Sequence, residues 1–95
     1  MTSRVERIRT RLEEALSPVH LEITDDSMAH AGHAGAMEGG GHFSAIIVSD
    51  VFEGKSPVQR HQLVYRALGD MMQKEIHAFS IKAFTPLEFQ RKGNP

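Results

Sequence analysis

The sequence predicts a small α+β domain, a three-stranded sheet with helices packed on one face, in the order α-β-β-α-β-α. Three observations lead there. Apolar residues recur at helical spacing in some segments and alternate as strands do in others. Three segments open on a hydroxyl residue followed three positions later by Glu or Gln: Ser3-Arg4-Val5-Glu6, Ser56-Pro57-Val58-Gln59 and Thr85-Pro86-Leu87-Glu88. This is the signature of a capped helix start. With 95 residues, 40% of them hydrophobic, the chain can bury only one modest core, so every element must share it.

The first helix is expected from about Arg4 to Leu16, with Val5, Ile8, Leu12 and Leu16 on one side and Pro18 just beyond its end. His20-Leu21-Glu22-Ile23-Thr24 alternates like a half-buried strand, and Phe43-Ser44-Ala45-Ile46-Ile47-Val48 is a stronger one, rich in β-branched residues. A second helix starts with Ser56 as N-cap and Pro57 at its first position. Its apolar stripe, Val58, His61, Val64, Tyr65, Leu68, Met71 and Met72, carries it to about Gln73, with His61 as a core histidine and the two methionines as core filler. The third strand runs from Ile76 to Phe84, and a short last helix follows Thr85.

Residues 25–42 join the first two strands, a connection far longer than a hairpin needs, and long connections in small domains are usually functional or disordered. This stretch holds His30, His33 and His42, three of the six histidines, among many glycines. Taken alone, such a stretch is more often a solvated connector than a ligand set. The chain has no cysteine, so any metal must come to nitrogen or oxygen. No run approaches a membrane span, and the first residues are charged where a signal peptide would be apolar, so a cytoplasmic protein is expected.

The net charge of −1 conceals a segregation. Residues 13–53 contain eight acids and no Lys or Arg, whereas residues 55–95 contain seven basic residues and three acids. An anion-facing surface and an ordinary solvated one both fit this pattern. Gly54-Lys55-Ser56 lacks the first glycine of a phosphate-binding loop, which excludes nucleotide hydrolysis on that motif. Gly32-His33-Ala34-Gly35 has the form of a nucleic-acid clamp but lies between strands, not helices. Ser49 and Ser56 read as strand end and cap, and no carboxylate pair has a distinctive spacing, so no catalytic constellation is expected.

The stretch FEGKSPVQRHQLVYRALGDMMQKEIHAFSIKAFTP, residues 52–86, resembles the core of the BolA family, and LEEALSPVHLEITDDS with HFSAIIVSD extends the resemblance over nearly the whole chain. The resemblance implies a class II KH-like fold and an adaptor that pairs with a monothiol glutaredoxin in iron–sulfur cluster handling. It also implies an alternative, a stress- and envelope-related transcription regulator that binds double-stranded DNA. Matched position by position, I-H-A places one cluster ligand on His77. The pattern Asp25-Asp26-Ser27-Met28-Ala29-His30 places the other on His30, with His33 as runner-up, whereas His42 falls where the family has a histidine without a ligand role.

The implied cofactor is a 2Fe–2S cluster shared with the glutaredoxin cysteine and glutathione, since two imidazoles can replace two thiolates on one iron. The free chain is expected to be a monomer or weak homodimer. The DNA alternative would use Lys55, Arg60, Arg66, Lys74 and Lys82 on phosphates.

Overall fold

The computed structural model describes residues 3–26 and 41–93. Helix α1 spans Arg4–Leu16. The Ser3 hydroxyl accepts from the Glu6 N–H at 3.1 Å, and Ser17, in the left-handed region at φ 45°, closes the other end. Ile8, Leu12 and Leu16, one per turn, are buried. Strands β1 (His20–Asp25), β2 (Gly41–Val48) and β3 (Ile76–Phe84) form one sheet in that order, with β1 antiparallel and β3 parallel to the central β2. A parallel pair requires a crossover. Here it carries a 3₁₀ turn at Asp50–Phe52, then α2 (Pro57–Leu68) and α3 (Met71–Lys74).

Phe43, Ala45 and Ile47 of β2 point into the core and meet Ile8, Leu12, Leu16, Phe52, Val64, Leu68, Met71 and Ile76. Val48 breaks the alternation, being buried although it follows Ile47. The last helix, α4 (Pro86–Gly93), explains it. His20, Val48 and Phe84 lie in one cross-strand row. The Phe89 ring stacks at 4.9 Å on His20 and meets Phe84 at 5.9 Å, so it spans that row. Thus α1, α2 and α3 cover one face, and α4 closes one end of the sheet, leaving the rest of the second face open. Among the described residues no helix is long and apolar enough to cross a membrane.

The second helix differs from the sequence expectation in length and in roll. It ends at Leu68 because Gly69 takes φ 57° and donates its N–H to the Tyr65 carbonyl. The four-residue α3 then restarts and buries Met71. The buried stripe is Val64 and Leu68, flanked by Leu63 and Ala67, while Val58 and Tyr65 are exposed. His61 is therefore not a core histidine. It is half-buried on the side of α2, with its ring edge-on to Tyr65.

Ser49 is a buried polar residue with both hydroxyl roles used. Its Oγ donates to the Leu16 carbonyl at 2.6 Å and accepts from the Val51 N–H at 3.2 Å, tying the end of α1 to the 3₁₀ turn. Ser49→Ala strands a buried carbonyl, which costs about 1–3 kcal/mol. Urea unfolding of the variant is expected to show a lower midpoint at an unchanged slope.

Candidate metal centre

Because β2 and β3 are parallel, both begin at the same end of the sheet. Their pairing is irregular there: Gly41 is opposite Ile76, yet His42 is opposite Ala78, so His77 is an extra residue on β3. In regular pairing, the residue before Ala78 points to the face away from His42. A bulge turns the extra side chain toward the side of its neighbour. Accordingly the His42 and His77 rings stand 5.0 Å apart, centre to centre, with their planes at 48°. His77 is exposed and His42 half-buried.

The backbone under this pair is fixed. Asp26 N–H donates to the His42 carbonyl at 2.7 Å on one side, and Gly41 N–H donates to the Glu75 carbonyl at 3.1 Å on the other. Ile76, next to His77, is buried. Gly41 is needed here for space, since a β-carbon would come within 2.6 Å of Cζ of the Phe43 ring. That ring is buried in the core and cannot swing aside cheaply. Arg7 and Glu75 form an ion pair just before the start of β3.

His30 and His33 lie outside the described residues. The segment that carries them leaves β1 after Asp26 and re-enters at Gly41, so both of its anchors are at the end of the sheet where His77 sits. Among the described residues no group of three or more His, Asp or Glu side chains could hold a metal ion unaided. Among the described residues, the histidine brought onto His77 is His42, which sequence reasoning set aside. The signal for it, two histidines each at the head of a strand, becomes readable only once those strands are known to be parallel. His20 belongs to the opposite end of β1, where it stacks on Phe89 and contacts Glu22 Oε2 at 2.5 Å.

The five basic residues considered for nucleic acid come from a turn, two helices and a strand. Arg60 is committed within the fold: its guanidinium contacts Glu88 Oε1 at 2.6 Å and Oε2 at 3.1 Å, and it donates to the Ala83 and Lys55 carbonyls. It also lies over the Phe52 ring at 5.9 Å. Lys74 is 3.7 Å from Asp70. Lys82 lines a shallow cleft of about 200 Å³ on the open sheet face with Glu22, Thr24, Ser44 and Ser80. Arg66 projects from α2, which covers the other face, and Lys55 is in the exposed turn before α2.

Glu88 is held by Arg60 and by the Thr85 N–H, and its own N–H donates to the Thr85 hydroxyl, completing the cap of α4. The Arg60 hydrogen bond, followed by the Thr85 backbone bond, pushes the Glu88 carboxyl down to about 2, and the same contact raises Arg60 above its ordinary value. A carboxylate depressed in the folded state stabilises fully above its unfolded value near 4.3, and that contribution is lost as pH falls toward the folded value. Denaturant midpoints of the wild type and Glu88→Gln are expected to differ at neutral pH and to converge on acidification through that window. High salt should shrink the gap, since Glu88 is partly exposed. A constant difference at all pH values would remove this role.

Residues 12–88 match the family described as BolA-like protein. SufE-like protein 1 of Arabidopsis thaliana is 50% identical over 90% of this chain and 24% of its own length. BolA-like protein 1 of Homo sapiens is 46% identical over 90% of this chain and 61% of its own. The DNA-binding transcriptional regulator BolA of Escherichia coli is 34% identical over 90% of this chain and 78% of its own. The chain thus spans a quarter to three-fifths of the first two. Among solved structures, BolA1 from Arabidopsis thaliana superposes with a TM-score of 0.80 at 44% identity, covering 93% of this chain and 97% of that one. The name of the SufE-like relative assigns that protein to chloroplast and mitochondrion, so kinship does not fix a cytoplasmic location. Family match, identity and superposition agree over the same residues that build the bulged sheet end, and the chain belongs to the BolA-like protein family.

Proposed function

We propose that this chain is a binding protein, not a catalyst, which pairs with a monothiol glutaredoxin and holds a 2Fe–2S cluster jointly with it. His77 supplies one imidazole, and the segment between Asp26 and Gly41 supplies another from His30, with His33 as the alternative. The glutaredoxin cysteine and glutathione supply the thiolates that this chain lacks. The observation that carries the reading is the bulge at His77, which puts an exposed imidazole at the sheet end where the His-rich segment is anchored. His30 is four residues from Asp26, a reach of at most about 14 Å. The outer strands of a three-stranded sheet are roughly 10 Å apart, so that reach spans the sheet end. Mixed imidazole and thiolate ligation is known cluster chemistry.

The test is to mix the purified chain with a glutaredoxin carrying its glutathione-ligated cluster and record visible circular dichroism. A new spectrum saturating at one chain per glutaredoxin is expected. An unchanged glutaredoxin spectrum rejects the reading.

A second reading, a regulator that binds double-stranded DNA, is favoured by the name of the Escherichia coli relative. It ranks lower because Arg60 is engaged internally with Glu88 and Lys74 is paired with Asp70, which leaves few of the five basic residues free for phosphate. Binding through so few phosphate contacts should be weak and steeply salt-dependent.

A further inference from the structure

We infer that His42 and His77 form a two-imidazole site that takes a single divalent transition-metal ion on this chain alone. The cluster reading pairs His77 with the segment after Asp26. The present site pairs it with the neighbouring strand and needs neither a glutaredoxin nor a cluster.

The separation of the two rings matches that of a chelating pair. Two imidazoles bound through nitrogen to one tetrahedral ion, at about 2.1 Å from it, hold their ring centres roughly 5 Å apart. These rings stand at 5.0 Å and are tilted by 48° rather than stacked face to face. The arrangement is built by the backbone, not by a chance meeting of two long side chains. Without the register shift at Gly41/His42, His77 would point to the opposite face of the sheet. Bulges that re-aim a side chain are concentrated beside functional sites. The pair is also held on rigid elements, with His42 on the central strand, hydrogen-bonded through its carbonyl to Asp26, and His77 next to the buried Ile76.

The donor set selects the ion. Imidazole suits Zn²⁺, Ni²⁺ and Cu²⁺ and does not suit the hard ions Mg²⁺ and Ca²⁺. Two ligands leave the remaining coordination positions to water, so the site is of modest affinity, ordered Cu²⁺ above Ni²⁺ and Zn²⁺. His77 is exposed, so an ion can reach the pair from solvent.

The experiment is a titration of the purified chain with Ni²⁺ and with Zn²⁺, followed by calorimetry and by NMR of the histidine ring nitrogens. His42 and His77 are expected to shift together at one equivalent, with no response to Ca²⁺. His42→Ala and His77→Ala should each weaken binding by at least the roughly tenfold that loss of even an outer-shell partner costs. His20→Ala, at the opposite end of the sheet, should bind as the wild type does. Should His42→Ala fail to fold, His42→Gln and the wild-type ring shifts decide the same question. Wild-type affinity in the His42 variant, or tenfold loss in the His20 variant instead, overturns the inference. The titration contains no glutaredoxin. Failure here with a normal cluster spectrum in the mixture removes only the His42 site, whereas success here with no cluster spectrum removes only the cluster reading.

Discussion

His77→Ala is expected to abolish the new visible circular dichroism in the glutaredoxin mixture while leaving the fold intact. The side chain is exposed and stands at a bulge, so its loss creates no cavity and breaks no ladder pairing that was regular to begin with. Surface changes of this kind usually stay within about 0.5 kcal/mol, so thermal melting should be nearly unchanged. The same substitution removes the exposed imidazole that the bulge presents at the sheet end. His20→Ala is the matched control. It deletes an imidazole at the far end of β1 that stacks on Phe89, so it should lower the melting midpoint and leave the cluster spectrum alone. His77→Cys separates ligand loss from loss of shape. A thiolate in place of imidazole should keep a cluster in the complex but lower its reduction potential, since histidine ligation is what raises it. Wild-type spectra and cluster lifetime with His77→Ala would show that His77 is not a ligand.

The parts of the fold that were legible in the sequence are those fixed by local chemistry. Ser3, Ser56 and Thr85 announce their helices because their hydroxyls have few better uses than capping. The alternation of Phe43, Ala45 and Ile47 announces a strand with one buried face. The roll of α2 was not legible, because Val58, His61 and Tyr65 make as good an apolar stripe on paper as Val64 and Leu68 do. Tertiary contact decides between them, and Arg60, reaching Glu88 and the Ala83 carbonyl from the same helix, helps to fix the choice. The break at Gly69 was masked by Met71 and Met72, which continue the apolar pattern past a glycine whose positive φ ends the helix.

For the site, the family pattern pointed to His77 by sequence alone, and the structure adds the bulge that exposes it. His42 could not be selected in this way. A histidine at a strand start gains a neighbour only through the partner strand, and a one-residue shift in register decides whether the two rings meet or lie on opposite faces. Arg60 misled for a related reason. Among the basic residues after Gly54 it looks like its neighbours, and only the return of the chain through Glu88 shows that its charge is already engaged.

Phe52→Ala is expected to be the most destabilising single substitution at the motif F-x-G-K-S-P. Phe52 is fully buried and sits at the end of the 3₁₀ turn, whose backbone bonds run from Phe52 N–H to the Ser49 carbonyl and from Lys55 N–H to the Phe52 carbonyl. Its ring meets the apolar core on one side and the Arg60 guanidinium on the other. Truncation to alanine leaves a cavity beneath a charged group that is itself pinned to Glu88 and Ala83, so the surroundings cannot collapse to fill it. Phe→Ala losses in such cores are about 3–5 kcal/mol. The whole stability of a small domain is only about 5–15 kcal/mol, so the variant is expected at the margin of folding. Each kcal/mol moves the melting midpoint of a domain this size by about 4–8 °C, which places the expected fall well above about 10 °C. Phe52→Leu, which retains most of the apolar volume, should recover more than half of the loss. Arg60→Ala combined with Phe52→Ala should cost less than the two single changes added together, because the guanidinium and the ring lean on each other and share the same neighbours. Additive losses in that double variant, or a shift of less than about 1 kcal/mol for Phe52→Ala in urea, would mean that the turn after β2 is held by its backbone and not by this ring.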